Sequence, residues 1–239
     1  MGTEPNPLVE IEVGDDPTTW TSLGFTVGDD GVARVGQVGV RLAGARDDRG
    51  RGILGWTLAA PAAADDVDGL PTGYAVASDD QPATAAAPVV HPNGALAIDH
   101  IVVMTPDLDR TTEALGAVGL EARRTREAGG GRLQRFFRLG EVILELVGPA
   151  VPAGDGPATF WGLAITVDDI DATATHLVGR IGEPKAAVQA GRRIATLRVG
   201  DELSVPIAMM SAPTAPRSFG AGGGTGSRGS ANGGTGSDR

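Results

Sequence analysis

The segment His100-Ile-Val-Val-Met-Thr-Pro-Asp-Leu-Asp109 aligns without a gap on Gly162-Leu-Ala-Ile-Thr-Val-Asp-Asp-Ile-Asp171. Both copies pass from an apolar, mostly β-branched stretch through an acidic turn into a helix start, and Leu115 and Leu177 keep the register further on. The apolar runs read as buried strands, Ile98 to Met104 and Leu163 to Val167. The acidic turns supply helix caps, so Leu108 to Gly119 and Ile170 to Gly179 read as helices. Three strand candidates follow each helix. In the first copy they are Leu120 to Arg126, Arg132 to Leu139 and Glu141 to Val147, with Gly129 to Gly131 as a hairpin turn. In the second they are Ala186 to Gln189, Arg193 to Val199 and Pro206 to Met210. The unit is β-α-β-β-β, and it is duplicated.

A fainter copy lies upstream, where Arg34-Val-Gly-Gln-Val-Gly-Val-Arg-Leu-Ala-Gly44 matches Arg138-Leu-Gly-Glu-Val-Ile-Leu-Glu-Leu-Val-Gly148. Leu8 to Gly44 is therefore a shortened module, and Gly52 to Leu58 opens another whose remainder erodes into an Ala/Pro stretch. The expected class is α+β: tandem β-α-β-β-β modules, two intact and two shortened, with curved mixed sheets forming a cleft. The expected divisions are 1–58 for the shortened modules, 59–96 for an Ala/Pro/Asp-rich loop or linker, 97–211 for the paired-module domain, and 212–239 for a disordered Gly/Ser-rich tail.

Composition narrows the chemistry. The 239 residues carry 20 Lys and Arg against 30 Asp and Glu, a formal net charge of -10 that disfavours nucleic acid as a partner. Cysteine is absent, so disulfides, thiolate metal sites and a cysteine nucleophile are excluded, and any metal must use imidazole and carboxylate. No apolar run reaches the ~20 residues of a membrane span, and the first residues lack a basic or apolar leader; a cytoplasmic location is the expectation. Neither Gly-x-Ser-x-Gly nor His-Glu-x-x-His occurs. Trp20, Trp56 and Trp161 each lie near a module start, where packing roles are expected.

The tandem modules, with Ile98-Asp99-His100-Ile-Val-Val and Asp107-Leu108-Asp109 at one start and Leu144-Glu145-Leu146 before Gly148-Pro149 at its end, resemble the vicinal oxygen chelate superfamily: glyoxalase I, extradiol dioxygenases and bleomycin-resistance proteins. The resemblance covers Ala97 to Ser211 well and Leu8 to Leu58 weakly. It implies paired modules whose sheets enclose a cleft, with a divalent metal (Ni, Zn, Mn or Fe) held by residues of the first and last strand of each module. Imidazole and carboxylate suit such an ion, and open coordination positions let it bind two neighbouring substrate oxygens.

His100 and Glu145 occupy two of these ligand positions. At the other two stand Gly162 and, counting back from Pro213 as Glu145 is counted from Pro149, Met209; the shortened module offers Arg41 at the Glu145 position. The metal site is thus incomplete. Glu145 is the best catalytic candidate, with an ion pair to Arg41 as the structural alternative. His100 is either a metal ligand or a histidine hydrogen-bonded beside Asp99. His176 reads as a surface residue, and His91 has no partner at ligand spacing.

Arg192, Ile194, Thr196 and Arg198 alternate on one strand face, as do Arg132, Gln134, Phe136 and Arg138. Such strips suit an anionic or oxygen-rich ligand, which makes Arg41, Phe136 and Arg192 candidate substrate contacts. Two functions follow: a protein binding a small-molecule ligand in the inter-module cleft with or without catalysis, or a divalent-metal-dependent lyase or isomerase using His100 and Glu145. A homodimer is one way to close the cleft, and four modules in one chain are another.

Overall fold

The computed structural model describes residues 6–44, 50–75 and 89–213. The chain opens with β1 (Leu8–Val13), the short helix α1 (Pro17–Ser22), β2 (Val32–Val35) and β3 (Val38–Leu42). It continues with β4 (Ile53–Leu58), β5 (Asp66–Val67) and β6 (Leu70–Tyr74). These six strands form one sheet in the order β2-β3-β1-β4-β6-β5.

The first intact module is β7 (Ala95–Met104), α2 (Leu108–Ala117), β8 (Ala122–Gly129), β9 (Arg132–Leu139) and β10 (Val142–Pro149). The second is β11 (Thr159–Val167), α3 (Ile170–His176), β12 (Lys185–Ala186), β13 (Arg193–Thr196) and β14 (Ile207–Ser211). Their sheet runs β12-β13-β14-β11-β7-β10-β9-β8, so each module contributes its strands in the same spatial order and the two first strands meet antiparallel in the middle. Each first strand pairs in parallel with its own module's last strand, β7 with β10 and β11 with β14. The first sheet repeats this plan, since β1 and β4 meet antiparallel while β3 and β6 flank them in parallel. The fold is α+β, with two mixed sheets of tandem β-α-β-β-β type.

The acidic turns act as the alignment implies. Asp107 accepts from the backbone N–H groups of Asp109 and Arg110, and Asp169 from those of Asp171 and Ala172, which satisfies donors left free at a helix start. One apolar core runs through both sheets, from Ile11, Val40 and Leu58 to Ile101, Leu144 and Met209. Trp56 and Phe160 stack edge to face across the sheets, with ring centroids 5.3 Å apart. Asp68, whose φ of 54° puts it in the left-handed region, receives Arg110 Nε at 2.8 Å and the hydroxyl of Thr111.

Three sequence expectations need correction here. The stretch 59–96 is not loop throughout, because Leu70–Tyr74 and Asp66–Val67 complete the first sheet: Leu70 and Thr72 face inward, the Trp56 indole donates to Thr72 Oγ1 at 2.7 Å, and so the fourth module keeps its last strand. Strand β12 ends at Ala186, which leaves residues 187–192 as a connecting loop. Trp161 is not packed but 55% exposed, whereas Trp20 and Trp56 are buried. Residues 76–88, and the tail beyond Pro213, lie outside the described residues.

Candidate functional site

The eight-stranded sheet curves around a cavity of about 1030 Å³, lined by residues from β7, β8, β9, β10, β11, β13 and β14 and by the loop residues 187–189. This is near the upper end of the usual size for a small-molecule site. Strand alternation sets the lining. On β10, Leu144 and Leu146 point into the core while Ile143, Glu145 and Val147 line the cavity; on β7, Ile101 and Val103 are core and His100, Val102 and Met104 line the cavity.

A bulge departs from this alternation at the most polar point of the site. His100 pairs with Ala164 and Ile98 with Ile165, so Asp99 is an additional residue on β7. Its carboxylate is fully enclosed. Asp99 Oδ2 accepts from Thr166 Oγ1 at 2.8 Å and pairs with Arg192 Nη1 at 2.7 Å, while Oδ1 lies 2.5 Å from His100 Nδ1.

Arg192, 4% exposed at its side chain, also donates through Nε to the Ser211 carbonyl and through Nη1 to Gln189 Oε1, each at 2.7 Å, and through Nη2 to Thr166 Oγ1 at 3.1 Å. These bonds settle the tautomer of His100. Because Gln189 Oε1 faces the guanidinium, its amide nitrogen is the atom 3.3 Å from His100 Nε2 and must be the donor. Nε2 is then the acceptor, which leaves the ring proton on Nδ1, the nitrogen beside Asp99 Oδ1.

Across the cavity floor Glu145 pairs with Val102 on β7 and with Phe136 on β9. The amide of Gln134 donates to Glu145 Oε1, and Gln134 Oε1 accepts from Arg126 Nε at 2.5 Å; the Arg126 guanidinium also lies 5.3 Å above the Phe136 ring. A relay of one glutamine therefore couples a carboxylate to a guanidinium.

His100, Glu145 and Phe136 thus line one cavity. Arg41 does not join them. It sits on β3 in the other sheet, where it forms a two-pronged pair with Glu10 at 2.8 Å, so the suggested Arg41–Glu145 ion pair is absent. Arg192 is not among the lining residues: it precedes β13, is buried, and spends its donors on protein acceptors. Gln189 has no signal in the sequence, and Gln134 enters there only as one member of the β9 strip. Asp99 is visible in the sequence as the neighbour of His100, but the bulge that brings its carboxylate into the network has no sequence signal.

The strand register also corrects one ligand position. Val102 pairs with Glu145, and its counterpart Ala164 pairs with Ala208, so the residue equivalent to Glu145 is Ala208, while Met209 faces the core with no exposure. The residues present do not fit a complete metal centre. Ala208 has no donor, and a Cβ at Gly162 would lie 2.6 Å from the Pro206 carbonyl oxygen, leaving no room for a ligand side chain. Among the described residues no three His, Asp or Glu side chains converge. His100 and Glu145 alone are too few for tight binding of a divalent ion.

Residues 26–119 match the model of a glyoxalase-like domain, and residues 97–190 that of the Glyoxalase/Bleomycin resistance protein/Dioxygenase superfamily. A variant of 4-hydroxymandelate synthase from Streptomyces coelicolor is similar over 87% of this chain and 92% of its own, with TM-score 0.56 and 16% identity, a likeness of fold alone. Methylmalonyl-CoA epimerase from Mycobacterium tuberculosis covers 52% of this chain and 94% of its own at 18% identity and TM-score 0.42. A variant of the Streptomyces coelicolor methylmalonyl-CoA epimerase, in complex with 2-nitronate-propionyl-CoA, covers 50% and 96% at 23% identity and TM-score 0.40. No curated protein matches the chain in sequence. Duplicated modules, matched strand order and both domain models agree: the chain belongs to the vicinal oxygen chelate superfamily, the glyoxalase, bleomycin-resistance and dioxygenase group.

Proposed function

We propose that the chain binds a small organic molecule in the cavity enclosed by β7 to β14. The observation that supports this reading is the lining itself, a broad apolar surface from Val102, Met104, Phe136, Ile194 and Met210 with His100 and Glu145 set into it. An apolar wall with polar groups set at fixed points is the usual make-up of a ligand site. The metal-dependent lyase or isomerase reading lacks two of its four ligand positions, and no reaction step is assigned to it. Glu145 remains the candidate for proton transfer by virtue of its place in the cavity.

The test uses N-phenyl-1-naphthylamine, an uncharged aromatic probe that fluoresces in apolar sites. The wild-type chain should bind one equivalent, and Ala208→Trp, which fills the cavity from β14, should weaken binding by at least about tenfold. Equal binding by both, or none by either, would reject the cavity as the ligand site.

A further inference from the structure

The chain carries a formal net charge of -10, yet the cavity is lined by Arg123, Arg124, Arg126, Arg132 and Arg138 against one carboxylate, Glu145. The charge is inverted locally, and it is concentrated on one wall. All five arginines belong to β8 and β9, the strands at one edge of the sheet. Arg124 pairs with Phe136 and Arg126 with Gln134, so these guanidiniums share the cavity face with Arg132.

The arginines divide by partner. Arg126 is committed to Gln134 and, through it, to Glu145, which offsets the one acidic group of the lining. Arg124 and Arg132 have no hydrogen-bond or ion-pair partner among the described residues, although the chain elsewhere pairs Arg34, Arg41, Arg110, Arg135, Arg180 and Arg193 with carboxylates. Two that remain unpaired at the mouth of an apolar cavity form a recognition element for an anion, since guanidinium donors match carboxylate, sulfonate and phosphate oxygens in geometry as well as charge.

The opposite wall is apolar. Val102 and Met104 on β7, Ile194 on β13 and Met210 on β14 line it, and Trp161 stands 55% exposed among the lining residues. We infer that the ligand of this cavity is an amphiphilic organic anion, with its anionic group on Arg124 and Arg132 and its apolar body against β7, β13 and β14. The inference rests on the cavity being the ligand site and adds the class of molecule it takes.

A matched probe pair separates the two claims. 8-Anilino-1-naphthalenesulfonate is N-phenyl-1-naphthylamine with a sulfonate added, so the difference in their dissociation constants reports the anion contact alone. For the wild type, the sulfonate should bind at least about tenfold more tightly than the neutral probe at low salt, and the gap should narrow as salt is added. Arg124→Gln with Arg132→Gln should remove most of that preference, read as the ratio of the two probes' dissociation constants in the same variant. Equal affinities in the wild type, or an intact preference in the double variant, would overturn the anionic class while the cavity stands. Neutral-probe binding indifferent to Ala208→Trp, or no binding of either probe, would overturn the cavity reading and the anionic class together. Both arginines are exposed, so folding of the double variant is expected to be intact, and its circular dichroism is the check.

Discussion

Removing Arg192 tests how the site is held. Asp99 is fully buried and Arg192 nearly so, and an ion pair taken out of water is costly to break on one side because the remaining charge stays unsolvated. Arg192→Met should therefore cost about 3–5 kcal/mol in urea unfolding. Adding Asp99→Asn should recover a large part, since a neutral amide no longer needs the guanidinium. A loss within about 1 kcal/mol for the single variant would mean that water or another cation serves Asp99 as well. At this scale the sequence is legible only in part. His100 and Glu145 are visible because each interrupts an apolar strand. Arg192 is misplaced by alternation because the strand starts at Arg193, one residue later, and the bulge at Asp99 follows from pairing with β11 and from nothing local. Counting back from Pro213 likewise lands on Met209, whereas pairing with β11 selects Ala208.

The connection into β7 depends on His91. Its Nδ1 accepts from the Thr26 backbone N–H at 3.0 Å, and its Nε2 lies 2.9 Å from the Arg34 carbonyl, so it fastens the segment before β7 to the first sheet as a neutral imidazole. The ring packs edge to face on Phe25. Burial holds its pKa below the usual histidine value, against a smaller opposing effect of the Arg34 carbonyl. The unfolded chain then binds a proton that the folded chain refuses, so this contribution is complete above about pH 6.5 and is lost as pH falls toward the lowered folded value. Thermal unfolding of the wild type should weaken on going from about pH 7 to about pH 5 more steeply than that of His91→Gln. Parallel pH profiles would contradict it. Elements with strong periodicity, β7, α2, β10 and β11, are legible from sequence. Strand β6 is not, because Leu70-Pro-Thr-Gly-Tyr74 carries the Pro and Gly that mark loops, and only its pairing with β4 makes it a strand.

For the whole molecule, the four-module plan is legible because duplication preserves the order of apolar strand, acidic cap and helix even where side chains have changed. The contact between the halves is not. Trp56 on Phe160, Asp68 beneath Arg110, and Ser204 joined to Gly52 and Asp15 across the sheets are long-range pairs that no local pattern announces. Among the described residues no helix is long and apolar enough to cross a membrane. The same distance from sequence explains the site. Ligand positions can be counted along each module, but whether they still hold donors, and what replaces them, depends on strand register and on the close approach of Pro206 to Gly162. In our reading the cavity is a ligand site with donors at only two of the four metal-ligand positions that the family resemblance implies, and arginines form one of its walls. Calorimetric titration of Ni, Zn, Mn and Fe(II), the last under anaerobic conditions, into the wild type and into His100→Ala tests it most directly. Weak binding is expected, with dissociation constants above about 100 µM and little difference between the two chains. One tightly bound equivalent in the wild type that disappears in His100→Ala would contradict it.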